Sequence, residues 1–197
     1  MKTRVAAKPA PRPAPGSFDA LPRRIFIDSC TVQTLRKCGE FIYDGGSITP
    51  GDVICRIPDG SDNVEALRAI CQVTSRAMFQ WIVSEASWRE AAAKHDAGHL
   101  QWLFEIDNYW RAFLGETGPS RESRALAARL DEPKFGYLGA GDRVLLQEAI
   151  LLRCDSFLTM ERKLPKNAAH IERELGIRVL TPMTYWEMLR PWAALWC

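Results

Sequence analysis

Four acidic residues stand where a strand or a helix is predicted to begin or end. Asp28 follows the apolar run 25–27, and Glu161 follows a second apolar run. Glu90 lies in the first turn of a predicted helix, and Asp142 is predicted to cap the start of another. Acids placed in this way act as metal ligands or as catalytic groups, and clustered carboxylates repel one another unless a cation lies between them. Hard oxygen ligands suit Mg²⁺ or Mn²⁺, so the sequence predicts a divalent-metal site.

The elements that would position these acids are short strands alternating with helices. Strands are predicted at 25–28, 79–84, 156–159 and 177–180, and helices at 31–40, 61–77, 99–115, 120–130, 143–153 and 167–175. Two further helices are predicted to begin at Ser87 and at Thr184. This alternation predicts an α/β fold, a three-layer α/β/α sandwich around a mostly parallel central sheet. In such a sheet the carboxyl ends of the strands and the starts of the following helices share one edge. The four acids are therefore expected to converge there.

The chain is predicted to consist of a short tail and one domain. Its 197 residues suit a single domain. Residues 1–22 are rich in proline and arginine and are predicted to be disordered, because such a segment buries too little apolar surface. Residues 23–197 are predicted to form the domain, with a loop-rich insertion around 40–62 that contains several glycines and prolines.

Composition argues against several classes of protein. No apolar run approaches the roughly 18 residues of a membrane helix, and the N-terminus lacks the apolar core of a secretory signal. The six cysteines are scattered and include no CxxC pair, which favours reduced thiols in a cytoplasmic protein over disulfides or a zinc site. The net charge of +2 neither requires nor excludes a nucleic-acid partner.

Taken in order, the acidic stretches resemble the four motifs of PIN domains. These are 24–29 (RIFIDS), 82–90 (IVSEASWRE), 141–149 (GDRVLLQEA) and 154–161 (CDSFLTME), followed by 176–182 (GIRVLTP). No single motif is specific, whereas the ordered set over about residues 24–190 is. The resemblance implies that Asp28, Glu90, Asp142 and Glu161 are the metal-binding and catalytic carboxylates.

The resemblance also implies an activity and partners. It predicts an endoribonuclease that needs Mg²⁺ or Mn²⁺ and cleaves single-stranded RNA with a metal-activated water, like the VapC-like toxins of bacterial toxin–antitoxin pairs. An antitoxin protein and a second copy of the chain are then candidate partners. Substrate contacts are predicted for a set of residues that flank the acids: Ser29, Thr159, Arg143, Arg162 and Lys163.

Two residues depart from the family pattern. Cys30 stands where many PIN domains carry asparagine, and Glu161 stands in place of the usual aspartate. The extra methylene of Glu161 keeps the charge but changes its reach. An alternative is therefore a catalytically weak or inactive PIN-like scaffold that binds RNA or a protein partner.

Other interpretations are less well supported by the residues. A haloacid-dehalogenase-like phosphatase needs a second aspartate two residues after the first, where Cys30 stands. Glu85 lies near the second motif but is too close to the strand end to gain the helix start. Asp155 lies before its strand, at the opposite edge of the sheet from the predicted site. His95 and His99 could share a helix face, yet they lack a third metal ligand and are predicted to be surface residues.

Overall fold

The computed structural model of the chain describes residues 16–74, 76–77, 79–93, 98, 101–102, 104–105 and 118–196. Residues 1–15 of the predicted tail, the histidine pair His95 and His99, and most of the predicted helix 99–115 lie outside these residues. Within them, no helix is long and apolar enough to cross a membrane.

Four short strands form a sheet in which every described pairing is parallel. They are β1 Arg24–Ile27, β2 Gln80–Ile82, β3 Ser156–Leu158 and β4 Arg178–Leu180. Their order across the sheet is β2-β1-β3-β4, so β1 is central. In the register, Phe26 of β1 lies opposite Ile82 of β2 and Phe157 of β3. The predicted α/β class and parallel sheet are confirmed.

Eight α-helices have bounds within the described residues. They are α1 Ser29–Lys37, α2 Gly39–Asp44, α3 Gly60–Thr74, α4 Glu85–Ala92, α5 Arg121–Ala128, α6 Ala140–Leu151, α7 Ala168–Leu175 and α8 Pro182–Leu189. Between α2 and α3, in the predicted loop-rich insertion, the chain forms turns and a 3₁₀ helix at Val53–Arg56.

The alternating side chains of β1 divide the core into two parts. Ile25 and Ile27 face one part, which also holds apolar residues of α1, α3 and α8. Phe26 faces the other part, with apolar residues of α6 and α7, and its ring stacks on that of Phe157 at 5.2 Å. Side chains two apart on a strand share a face, so helices are packed on both faces of the sheet, as in a three-layer arrangement.

The chain leaves β1 and β3 in opposite directions. After β1 it enters α1, whose Val32 and Leu35 lie in the Ile25 part of the core. After β3 it continues to Leu164 and α7, which lie in the Phe26 part. Two neighbouring parallel strands whose connections diverge in this way leave a crevice at their carboxyl ends, where ligands bind in α/β proteins. Asp28 and Glu161 follow these two strands.

Residues 16–22 differ from the disorder predicted for residues 1–22. Phe18–Ala20 form a 3₁₀ helix, and the Phe18 ring packs on Trp192 and Trp196 at centroid distances of 5.6 and 5.7 Å. The carbonyl of Pro22 accepts a 2.9 Å hydrogen bond from the buried Tyr185 hydroxyl. The prediction overlooked that one aromatic side chain can anchor a proline-rich segment if a partner surface exists.

Phe18→Ala tests this anchor. Complete burial makes Phe→Ala cost about 3–5 kcal/mol, so for the half-buried Phe18 we expect a loss of roughly 1–3 kcal/mol in the free energy of unfolding. Asp19→Ala, an exposed neighbour in the same 3₁₀ helix, is the matched control and should change it by less than about 0.5 kcal/mol. Urea unfolding followed by circular dichroism measures both. Equal stability of the two variants would contradict docking of the segment.

Candidate active site

Asp28 is buried at the carboxyl end of the central strand. It is the N-cap of α1, where its Oδ1 accepts a 2.7 Å hydrogen bond from the backbone N–H of Thr31. Its Oδ2 accepts a 2.5 Å hydrogen bond from the hydroxyl of Thr159. Only 3% of Asp28 is exposed. Both carboxylate oxygens are therefore held in place, one by α1 and the other by the segment that follows β3.

The environment of Asp28 shifts its titration towards neutral pH. Burial raises the pKa of Asp28 to about 6, and the negative charge of Glu161 adds to this rise. The hydrogen bonds from Thr159 and Thr31 act in the opposite direction, because they favour the charged form. A buried carboxyl that titrates near neutrality beside a second acid is typical of catalytic and ligand-binding sites.

Thr159 connects Asp28 to Glu161. Its hydroxyl donates to Asp28 and accepts a 2.9 Å hydrogen bond from the backbone N–H of Glu161. Thr159 is completely buried. Its direct contact with substrate stays a prediction. Its hydroxyl fixes the backbone from which the Glu161 side chain projects.

Glu90 approaches the site from α4. Its Oε2 accepts a 2.7 Å hydrogen bond from the hydroxyl of Ser29, the residue after Asp28. The predicted start of this helix at Ser87 is wrong, because Ser84 is the N-cap and the helix begins at Glu85. Ser87 is instead buried, and its hydroxyl donates to the carbonyl of Ile27 at 3.0 Å. This bond ties α4 to the end of β1.

Asp142 lies beside Glu90 at the start of α6. The helix begins at Ala140 with Gly139 as N-cap, so Asp142 is a first-turn residue and the prediction that it caps the helix is wrong. A Cβ atom at Gly141 would lie 3.2 Å from Oε1 of Glu90. The missing side chain at Gly141 therefore leaves room for the Glu90 carboxylate against the helix start, where a negative charge is stabilised by the helix dipole.

Cys30 occupies the space between the acids. Its Sγ–H donates to Oε1 of Glu161 at 3.4 Å. Burial raises the pKa of the Cys30 thiol, and the charges of Asp28, Glu161 and Glu90 raise it further. The thiol is therefore protonated at neutral pH, and three of the four predicted carboxylates act on a single side chain.

Hydrogen bonds thus bring Glu90 to Ser29 and Glu161 to Cys30, the two residues after Asp28, and Gly141, the neighbour of Asp142, lies next to Glu90. The two acids set aside from the sequence have other roles. Asp155 accepts hydrogen bonds from the backbone N–H groups of Arg23 and Arg24 at the other end of the sheet, as its position suggested. Glu85 pairs with Arg89 on the exposed surface of α4.

The other predicted substrate contacts fall into two groups. Ser29 is buried and its hydroxyl is donated to Glu90, so it positions an acid. Arg162 and Lys163 are exposed immediately after Glu161. Arg143, in the first turn of α6, has an Nε that is shielded from solvent and has no acceptor among the described residues. Substrate contact by these four residues stays a prediction.

The donor set has the chemistry that Mg²⁺ and Mn²⁺ prefer, since Glu90 and Glu161 are hydrogen-bonded to Ser29 and Cys30, the two residues that follow Asp28. Across the described ranges, no group of three or more His, Cys, Asp or Glu side chains already has the spacing of a ligand set. Hydrogen bonds from Ser29, Cys30 and Thr159 occupy carboxylate oxygens instead. The residues fit a hard cation by type, and binding would require their side chains to exchange these bonds for metal contacts.

Three residues of the site were not assigned a role from the sequence. Thr31 fixes Asp28 through its backbone N–H. In the sequence, an aspartate directly before a helical segment indicates such an N-cap contact. Gly141 makes room for Glu90, and its signal was a glycine beside an acid at a helix start. Cys30 was noted only as a departure from a family pattern, and nothing in its neighbours along the chain shows that three acids surround it.

Comparisons with known proteins give no further assignment: no family model, no curated protein and no solved structure matches the chain.

The raised pKa of Asp28 predicts a specific dependence of stability on pH. Because the pKa of about 6 in the folded state exceeds the ordinary value of 3.8, the folded protein binds the proton more tightly. The stabilisation by protonated Asp28 is complete below about pH 4 and is lost as pH rises through about 6. Asp28→Asn does not lose this stabilisation. Without divalent cations and above pH 6, its free energy of unfolding should therefore exceed that of wild type by on the order of 1–3 kcal/mol.

Urea unfolding in EDTA at a series of pH values measures this difference. Asp62→Asn, which removes an exposed acid from α3, is the control and should follow the wild-type curve. Parallel curves for Asp28→Asn and wild type, or a large loss of stability in Asp28→Asn at pH 7, would contradict the raised pKa.

Thr159 should control the proton affinity of Asp28. Thr159→Val keeps the shape but removes a hydrogen bond that lowers the pKa of Asp28, so we expect that pKa to rise above its wild-type value. It also leaves the Glu161 N–H without its acceptor, which should cost about 1–3 kcal/mol. Thr159→Ser keeps the hydroxyl and is the matched control. Carboxyl-carbon NMR titration gives the pKa, and the same value in Val and Ser variants would disprove this role.

Proposed function

We propose that the chain is a metal-dependent endoribonuclease with a PIN-like fold, which hydrolyses phosphodiester bonds of single-stranded RNA. The observation that carries the proposal is that Glu90 and Glu161 are hydrogen-bonded to Ser29 and Cys30, directly after Asp28, at the edge where the connections of β1 and β3 diverge. Acids that are separated by more than sixty residues in sequence are held there by side-chain hydrogen bonds to one another's neighbours.

The four carboxylates would divide the work of holding the cation. Asp28 is the fixed member, because both its oxygens are hydrogen-bonded and it is buried. Glu161 projects from the segment that follows β3, and Glu90 projects from α4. Asp142 adds a negative charge at the start of α6. When bound, Mg²⁺ or Mn²⁺ supplies the Lewis acidity that activates water and stabilises the charge on the leaving oxygen.

The protein itself supplies position and charge for the RNA. Phosphate groups would be repelled by the acids without basic side chains nearby. Arg162 and Lys163 are exposed directly after Glu161, and the shielded Nε of Arg143 has no acceptor among the residues that the structure describes, so a phosphate oxygen could provide one. No side-chain nucleophile is needed, and the Cys30 thiol is a poor one because its raised pKa keeps it protonated.

The biological setting of the proposal rests on the motif resemblance alone. The role of toxin in a toxin–antitoxin pair, an antitoxin partner, self-association and a cytoplasmic location all follow from that resemblance. A neighbouring gene for a small protein with a DNA-binding head and a disordered tail would support this setting.

A PIN-like scaffold that binds RNA or protein without cleavage is the second candidate. It is favoured by Cys30, whose thiol fills the space among the acids and donates to Glu161. A cation would have to displace this contact. The two candidates therefore differ in whether the acids can release the thiol and close on a metal ion.

Cleavage of labelled single-stranded RNA, with and without EDTA, separates the candidates. We expect cleavage in Mg²⁺ or Mn²⁺ that EDTA abolishes. Asp28→Asn, Glu90→Gln, Asp142→Asn and Glu161→Gln should each lower the rate by at least about a hundredfold, since even supporting partners of metal ligands contribute about 10–100-fold. Glu187→Gln, an exposed acid on α8, is the control. Cleavage that persists in EDTA would remove the metal mechanism.

A second readout does not depend on activity. A cation that binds only the folded protein raises its melting temperature. Excess Mn²⁺ should therefore raise the midpoint of wild type and of Glu187→Gln, and raise that of Asp28→Asn by less. Metal-induced stabilisation without cleavage of any RNA would favour the scaffold. Equal responses of all three proteins would contradict a site at Asp28.

A further inference from the structure

A cavity of about 260 Å³ opens beside Glu161, between the segments 57–63 and 160–166. It is smaller than the roughly 300–1,000 Å³ of pockets for drug-sized ligands, which suits a single small group. Two cationic side chains, Arg162 and Lys166, line it. Neither has an ion-pair partner within the described part of the chain, so their charges are available to a ligand.

The wall opposite these cations is held in one shape. The buried Asn63 donates from Nδ2 to the carbonyl of Asp59 at 2.8 Å and accepts from the backbone N–H of Met183 at 3.2 Å. Gly60 has no space for a side chain, because a Cβ atom would lie 2.2 Å from the carbonyl of Ile54. Asp59 adopts φ of 59°, a left-handed conformation that aspartate and asparagine adopt more readily than most residues with a side chain.

We propose that this cavity binds a phosphate group of the RNA strand next to the one that is cleaved. The inference rests on the proposed function for the identity of the ligand, since Glu161 belongs both to the acid cluster and to the cavity lining. A polyanion brought to three carboxylates needs cations on its neighbouring phosphates. Arg162 can bind a phosphate through two N–H groups and Lys166 can add a point charge.

Two acids also line the cavity and weaken its attraction for a phosphate group. Glu161 is engaged with the Cys30 thiol and with the acid cluster. Asp59 is exposed and its carboxylate opposes a bound phosphate. The cavity therefore predicts effects of opposite sign: loss of Arg162 or Lys166 weakens binding, and loss of the Asp59 charge strengthens it. Asparagine tolerates positive φ, so Asp59→Asn removes the charge without new strain.

The test measures binding of fluorescent single-stranded RNA by the full-length protein in EDTA, where no cleavage is expected. The double variant Arg162→Gln/Lys166→Gln should bind about tenfold more weakly. The slope of log affinity against log salt should be shallower by about 0.7, the value for one phosphate contact on a single strand. Asp59→Asn should bind a few-fold more tightly. Lys37→Gln removes an exposed cation at the last residue of α1, outside the cavity lining, and is the matched control.

Three ligands identify the source of the phosphate. If RNA with a 5′-hydroxyl and RNA with a 5′-phosphate both lose affinity in the double variant, the cavity holds an internal phosphodiester, as proposed. A loss confined to 5′-phosphorylated RNA, with competition by inorganic phosphate, would assign it to a strand end and overturn the internal position. Equal losses in Lys37→Gln and the double variant, or no binding by wild type, would overturn the cavity altogether.

The outcomes separate this inference from the proposed function. Cavity-dependent binding in a protein that cleaves no RNA would leave the phosphate site standing and remove the nuclease. Metal-dependent cleavage with unchanged RNA binding in the double variant would do the reverse.

Discussion

The buried carboxylate of Asp28 is the constraint on which the site depends. It lies at the end of the central strand and is held by the Thr31 N–H on one side and by the Thr159 hydroxyl on the other. These two bonds join α1 and the connection after β3, which belong to opposite faces of the sheet. A charge buried with so little solvent is costly unless hydrogen bonds or a cation compensate it. The site is therefore a compromise between a stable fold and a group that titrates near neutral pH.

Serine and threonine hydroxyls carry out much of the positioning around this carboxylate. Ser87 binds the end of β1, Ser29 binds Glu90, and Thr159 binds both Asp28 and the backbone of Glu161. Each hydroxyl links elements that are distant in sequence. Because these side chains are short, they leave little freedom in the distance between the elements they join. The acids that these hydroxyls hold differ in exposure, from the buried Asp28 to the exposed Glu90.

The sequence predicted the features that depend on local pattern and missed those that depend on contacts. The four strands and the strand-end positions of Asp28 and Glu161 follow from apolar runs and their boundaries. The start of α4 was predicted at Ser87 because Glu90 lies three residues further on, as in a capping box. The contact of Ser87 with Ile27, which that pattern does not report, leaves Ser84 as the cap. The docking of Phe18 on Trp192 and Trp196 joins the two ends of the chain, and no local pattern reports it. Cys30 likewise gains its meaning from acids far away in sequence.

The position of β1 in the sheet bears on how the chain acquires its structure during synthesis. β1 is made early, yet its neighbours β2 and β3 begin at Gln80 and Ser156, and Tyr185 must arrive before Pro22 gains its hydrogen bond. Contacts between such distant segments form slowly, because long loops must close first. On the ribosome, the carboxyl edge of the central strand therefore stays incomplete until β3 has emerged. A nascent chain can assemble the acid cluster only after Glu161, which follows β3, has also left the ribosome.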